Sequence, residues 1–474
     1  MPRAETRFFA PQAWVDGAWA HDVLLMVDAT GHWSAITPGA TPAMCAGAQR
    51  LDGPVLPGVV NAHSHAFQRA IAGLTEQRRA SVPTASAQST SAQGSTDDFW
   101  SWRERMYAVA QRITPDQLEH IAAMLYTELL AGGYTQVCEF HYVHHAAAGA
   151  PAASPLDMSL ALVRAAQRVG MGLTLLPTLY MRSGFGASGV RAQQQRFACS
   201  TATLCRLVDD LQAHTAGLAQ VNLGVAVHSL RAADPAAVAE LAQFAQNRGL
   251  PVHIHIAEQT QEVADCIAHT GQRPVEWLLA HLPLDAHWNL VHATHTTAQE
   301  LSGVARSGAS IVICPSTEAN LGDGVFDFSG YAALQGRWSV GSDSHVTRSW
   351  TEELRLLEYG QRLVQRKRNV AAACGPSLSS AANLLEAALG GGQAATGQAL
   401  GALRLGHRAD FLVIDPQVNA LLGVPVSQVL DALVFSSPSA APQAVFVAGQ
   451  RVAHHTSPAV TQPFAQTMRA LWQG

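Results

Sequence analysis

Lysine is nearly absent: Lys367 is the only one among the 30 lysines and arginines of this 474-residue chain. Chemistry that needs a lysine amine, such as a Schiff base or a carbamate bridging two metals, would have to use that residue. It lies in Gln365–Arg368, a charged stretch that reads as solvated. The seven cysteines are an odd number with no Cys-x-x-Cys pair, which fits reduced thiols better than a disulfide framework. No apolar run reaches the ~18 residues of a membrane span, and no basic, apolar and small-residue leader opens the chain. A cytoplasmic protein is expected. A strong charge excess is missing too: the formal net charge is −5, so no nucleic-acid or anionic-membrane partner is expected.

What is present is apolar and periodic. The chain is 48% hydrophobic and 14% charged, enough for a large buried core. Eight apolar segments read as strands: Val55–Val60, Tyr134–Phe140, Gly172–Leu179, Asn222–His228, Pro251–Ile256, Trp288–His292, Ser310–Cys314 and Trp338–Ser342. Amphipathic helices fall between them, among them Asp116–Ala131, Leu156–Val169, Pro235–Asn247 and Thr260–Thr270. Alternation of this kind builds a parallel sheet, and eight strands close a (β/α)8 barrel of the TIM type. The termini differ. Ala13–Trp19, Val23–Val27, Trp33–Ile36, Ala409–Ile414 and Ala444–Val452 read as strands of one small β-sandwich. The predicted division is therefore 1–54 with 401–474 as a composite sandwich and 55–400 as the barrel. A Ser-, Ala-, Thr- and Gln-rich insertion at 80–96 follows the first barrel strand.

Chemistry-bearing residues stand at the ends of four of these strands, where a barrel places its active site. His63 and His65 are two apart on extended chain, so both imidazoles face one way. His255 ends a later strand, with Glu258 three residues on and positioned to reach a reacting water. His292 and Asp343 end two more strands. His63, His65, His255 and Asp343 form a four-ligand set with nitrogen and oxygen donors, suited to one divalent cation: Zn²⁺ first, with Fe²⁺ or Mn²⁺ as alternatives. The fourth strand ends in His228, where a two-metal site would want a bridging carboxylate or carbamylated lysine, so one metal is expected. Glu258, His292 and Asp343 are the candidate catalytic groups. His253 reads as a core histidine and His295 as a structural one.

In that order, with Leu56-Pro57-Gly58 before them and Leu405-Gly406…Ala409-Asp410-Phe411 after, these residues resemble the amidohydrolase superfamily in its single-metal deaminase branch. The longer motifs His63–Ala70, Phe99–Glu104, Leu290–His295, Ser316–Gly324 and Glu353–Leu363 resemble the members that hydrolyse N-formimino-L-glutamate, a step of histidine breakdown. The resemblance implies release of ammonia from a small dicarboxylate amidine, and a homodimer as the assembly. It also implies substrate contacts at Gln68, Arg103, Tyr142, His228 and Arg231, of which the two arginines suit two carboxylates through their two-donor forks. The alternative is a deaminase of a nucleobase or other cyclic amidine, whose site would want stacking aromatics and amide readers. Release of formamide from the same substrate, or a barrel retained only for binding, are the remaining readings.

Overall fold

The computed structural model describes residues 5–77, 98–146, 154–436 and 442–473; the insertion expected at 80–96 lies outside them. Eight strands form the central barrel: β1 (Val59–Ser64), β2 (Tyr134–His141), β3 (Gly172–Leu179), β4 (Val225–Val227), β5 (Val252–Ile256), β6 (Trp288–His292), β7 (Ser310–Ile313) and β8 (Arg337–Val340). Each pairs in parallel with the next in chain order. Their residues are buried almost throughout, because helices cover the outside and side chains fill the inside. The expected strand 222–228 is broken into Val221–Leu223 and β4. Gly224 sits at the break, and a Cβ there would come within 2.6 Å of Leu176 Cδ2 and 2.8 Å of the Pro251 carbonyl oxygen.

The barrel closes where the site is built. Asp343 N–H donates to the His63 carbonyl at 2.9 Å, and His65 N–H donates to the Asp343 carbonyl at 3.3 Å. Ser64 and Asp343 form a parallel bridge. Two residues before Asp343, a Cβ on Gly341 would lie 2.6 Å from His63 Cβ, so glycine is what lets the two ends meet.

The surrounding helices carry their own start signals. Thr114 caps the helix Pro115–Ala131 through Gln117 N–H, the Gln117 side chain answers the Thr114 N–H, and Pro115 takes the first helical position. The terminal segments form a second, eight-stranded sheet wrapped over its own aromatic core. There Phe8 meets Phe411 and Phe446 edge-on at 5.3 and 5.4 Å, and Trp33 packs on Phe411.

Three strand expectations need correcting. Val55–Val60 is not one strand: Val55–Pro57 pairs with Phe411–Val413 in the terminal sheet, and β1 begins at Val59. The apolar run is continuous, but the chain changes sheets at Gly58, whose N–H donates to the Asp410 carbonyl. Ala13–Trp19 and Ala444–Val452 each contain a hairpin turn, at Asp16-Gly17 and Ala448-Gly449, both residues of each pair having positive φ. The helix Pro458–Gln473 was not expected; it returns to the barrel, where Trp472 Nε1 donates to the Ala70 carbonyl at 3.0 Å. Among the described residues, no helix is long and apolar enough to cross a membrane.

Candidate active site

The four candidate ligands converge at the carboxyl ends of β1, β5 and β8. The Nε2 atoms of His63 and His65 are 3.1 Å apart, those of His65 and His255 3.3 Å, and those of His255 and His63 3.0 Å. Asp343 Oδ1 lies 3.4 Å from His63 Nε2 and 3.3 Å from His65 Nε2. A tetrahedron with bonds of about 2.0–2.1 Å has edges of roughly 3.3 Å, so these spacings suit one cation at the centre.

The hydrogen bonds behind the ligands require one. His65 Nδ1 donates to the Phe140 carbonyl and His255 Nδ1 to the His228 carbonyl, both at 2.9 Å. Each ring therefore turns an Nε2 lone pair toward the other, and two lone pairs 3.3 Å apart have no proton to share. Burial holds the pKa of His63, His65 and His255 below the ordinary imidazole value, so the rings are neutral, as ligation demands. The donor set thus fits a single divalent metal.

Around this cluster the backbone is bent to aim side chains. His292 and Asp343 have φ of 70° and 46°, and Ala257, Ala293 and His345 are also left-handed. Each such residue costs roughly 1–3 kcal/mol, and their gathering at one barrel end marks a site that the rest of the fold holds in place. Glu258 is buried with its Oε1 3.7 Å from His292 Nε2, which is in turn 3.9 Å from Asp343 Oδ2. Burial, reinforced by Asp343 and Glu262 and opposed by His292 and Arg231, pushes the Glu258 carboxyl up to about 7. Burial works against a charged His292, but Glu258, Cys314 and Glu318 outweigh it and raise that imidazole well above its usual range.

Every sequence-predicted site residue except His63 lines one pocket: Gln68, Arg103, Tyr142, His228 and Arg231 on one side, His65, His255, Glu258, His292 and Asp343 on the other. His63 lies fully buried beneath it. Gln68 Nε2 donates to Tyr142 Oη at 3.4 Å, and its Oε1 has no partner. The Nε atoms of Arg103 and Arg231 are also buried without a hydrogen-bond partner, and neither arginine forms an ion pair among the described residues. Burial lowers the Arg103 pKa, and the facing Arg231 charge contributes in the same direction. His253 points the other way, its Nε2 bonded to the Ala395 carbonyl at 2.8 Å, as expected of a core histidine. Lys367 is exposed.

The amidohydrolase family profile matches residues 55–452. The chain belongs to that family. It is 44% identical over 444 residues to the formimidoylglutamate deiminase of Pseudomonas aeruginosa, covering 94% of each protein. An amidohydrolase from Brucella melitensis of known structure superposes with a TM-score of 0.87 at 38% identity, covering 98% of this chain and 99% of that one. An adenosine deaminase from Xanthomonas campestris, solved with bound zinc, shares the fold at a TM-score of 0.77 and 20% identity, with 99% of both chains covered.

Sequence reasoning passed over several amidohydrolase-site supports. Glu318 Oε1 sits 3.3 Å from His292 Nδ1 and accepts the Cys314 N–H at 2.9 Å, fixing the back of the His292 ring. Glu139 accepts from Ser64 Oγ, Ala66 N–H and Tyr126 Oη, and so clamps the His-Ser-His segment; burial pushes it up to about 7. Glu262 accepts the N–H groups of Ala257 and Glu258. The signal for Glu139 was visible, a lone carboxylate inside an apolar strand. Glu318 lay within the Ser316–Gly324 motif, but nothing in spacing alone ties it to His292.

Proposed function

We propose that this chain hydrolyses N-formimino-L-glutamate to N-formyl-L-glutamate and ammonia, in the cytoplasmic breakdown of histidine. The observation that carries the reading is a pair of guanidiniums without ion-pair partners in the pocket lined by His65, His255 and Asp343, three of the four residues of a one-metal ligand set that the buried His63 completes. Two carboxylates on a small substrate would give each guanidinium the direct ion pair it lacks, each through a two-donor fork. The 44% identity to a formimidoylglutamate deiminase supports the same substrate.

His63, His65, His255 and Asp343 would hold the metal, which we assign as Zn²⁺ from its mixed nitrogen and oxygen donors. Bound there, such an ion supplies Lewis acidity and lowers the pKa of a water toward ~7. The protein's own groups do the rest. Asp343 turns Oδ1 to the ligand histidines and leaves Oδ2 on the His292 side to accept a proton from the attacking water. Glu258, a buried carboxyl near neutrality, passes a proton to the formimino nitrogen as the carbon becomes tetrahedral. His292, braced from behind by Glu318, donates through Nε2 toward the oxygen being added. The tetrahedral carbon then expels the protonated nitrogen: the C–N bond breaks, the second water proton passes from the oxygen by way of Asp343 to the departing nitrogen, and ammonia leaves the formyl group behind. Arg103 and Arg231 fix the two carboxylates so that the formimino carbon meets these groups, while Phe99, Trp102 and Met106 wall the pocket against water.

A substrate panel tests this. With zinc-loaded protein, N-formimino-L-glutamate should be turned over at least a thousandfold more efficiently than guanine, cytosine or adenosine. Preference for a ring substrate would reject the assignment in favour of a cyclic-amidine deaminase.

A further inference from the structure

Neither Arg103 nor Arg231 has an acidic partner within ion-pairing distance among the described residues, yet both guanidiniums come to the same place. That place is the indole of Trp100. Arg103 Cζ lies 4.4 Å from the Trp100 ring centroid and Arg231 Cζ 5.5 Å from it. The two cations therefore cannot stand farther apart than those two distances laid end to end. Like charges brought this close in a half-buried pocket repel each other; the Glu262 and Glu258 carboxylates favour the Arg231 charge from their side, and among the described residues Trp100 is the one ring that both guanidiniums approach. The negative face of an indole attracts both cations without offering a proton acceptor that would occupy the N–H forks; Tyr107 adds a second ring to Arg103 alone, 5.5 Å from its Cζ.

The elements involved make the arrangement a link between two parts of the barrel mouth. Trp100 and Arg103 are one turn apart on the helix Phe99–Ala110, capped by Asp98 through Trp100 N–H and Ser101 N–H. Arg231 comes from the loop after β4. Both arginines line the pocket, and Trp100 is not among its lining residues.

We infer that Trp100 is a positioning residue: its ring is the common platform that sets the spacing of the Arg103 and Arg231 forks, and so the length of dicarboxylate the site accepts. This rests on the proposed function for the identity of the substrate, but not for the platform itself.

Two variants separate the ring face from mere bulk. Trp100→Leu keeps an apolar side chain and loses the π face; Trp100→Phe keeps a face. The expected result for Trp100→Leu is a KM for N-formimino-L-glutamate raised tenfold or more with kcat within about threefold of wild type. Its preference over the one-carbon-shorter N-formimino-L-aspartate should collapse. Trp100→Phe should recover most of both. Glutarate binding to the zinc-loaded proteins, measured by calorimetry, should follow the same order. If wild type binds glutarate and the variants rank as stated but N-formimino-L-glutamate is not hydrolysed, the substrate assignment fails and the platform stands. If turnover is as proposed while Trp100→Leu keeps wild-type KM, preference and glutarate affinity, the platform is wrong. Equal damage in Leu and Phe variants, a fall in kcat with KM unchanged, or no glutarate binding by wild type would each overturn it.

Discussion

Replacing Glu258 by Gln removes a titratable proton while preserving the size of the side chain. The carboxyl is buried, its Oε1 lies 3.7 Å from His292 Nε2, and it is not one of the four candidate ligand atoms of His63, His65, His255 and Asp343, which all lie within 4.8 Å of one another. The metal should therefore stay, and the loss should fall on proton transfer. General acid–base catalysis contributes typically ~10²–10⁴-fold, so kcat should drop by that factor, or roughly 3–5 kcal/mol of barrier. Because the proton moves only as the formimino carbon becomes tetrahedral, kcat and kcat/KM should fall together, with KM nearly constant. The assay is initial-rate ammonia release alongside metal content by mass spectrometry on the same sample. Wild-type kcat in a variant with full metal would remove Glu258 from the mechanism. Loss of metal together with activity would instead make it a ligand, which the geometry denies.

Other consequences are as direct. Chelation of the metal should lower the melting temperature and re-addition of zinc restore it, since binding to the folded state at a thousand times Kd stabilises by about 4 kcal/mol; His255→Ala should show no zinc-dependent shift. Arg103→Met and Arg231→Met should each raise KM for N-formimino-L-glutamate about 10–100-fold, the value of one hydrogen-bonded charge pair, with smaller effects on kcat. An unchanged KM in both would remove the arginines from substrate recognition. Burial pushes Glu353 up to about 8 despite two hydrogen bonds from Ser316. The folded state thus keeps a proton that the unfolded chain gives up near its ordinary carboxyl pKa. Stability from this group is complete below about pH 4.5 and declines as pH rises toward 8. Glu353→Gln, which cannot titrate, should flatten that decline in urea midpoints taken between pH 5 and 8; parallel curves for the two proteins would show the group does not titrate there.

Legibility in the sequence followed the range of the forces involved. Strand and ligand positions were readable because each depends on a local pattern: an apolar run, then a polar residue at its end, as in Trp288–His292. Such a pattern does not say which sheet a residue joins. Val55–Val60 is uniformly apolar, yet Pro57 and Val59 lie in different sheets, and that division is made by distant Asp410. The turn at Asp16-Gly17 carried a readable Asp-Gly signal that the strand reading Ala13–Trp19 ran across, whereas Ala448-Gly449 shows only a single glycine between apolar residues. The site was legible as a set of candidate ligands that the fold gathers, but not as a set of supports. Glu318 lies 26 residues from His292, Glu139 lies 75 from Ser64 and Trp100 lies 131 from Arg231, and only folding brings each pair together.

The most direct test of the account is product analysis of a single reaction: zinc-loaded protein with N-formimino-L-glutamate, followed by proton NMR with ammonia measured enzymatically. The account predicts one ammonia and one N-formyl-L-glutamate per substrate consumed. Formamide and glutamate, or no reaction from protein shown to contain stoichiometric metal, would contradict it.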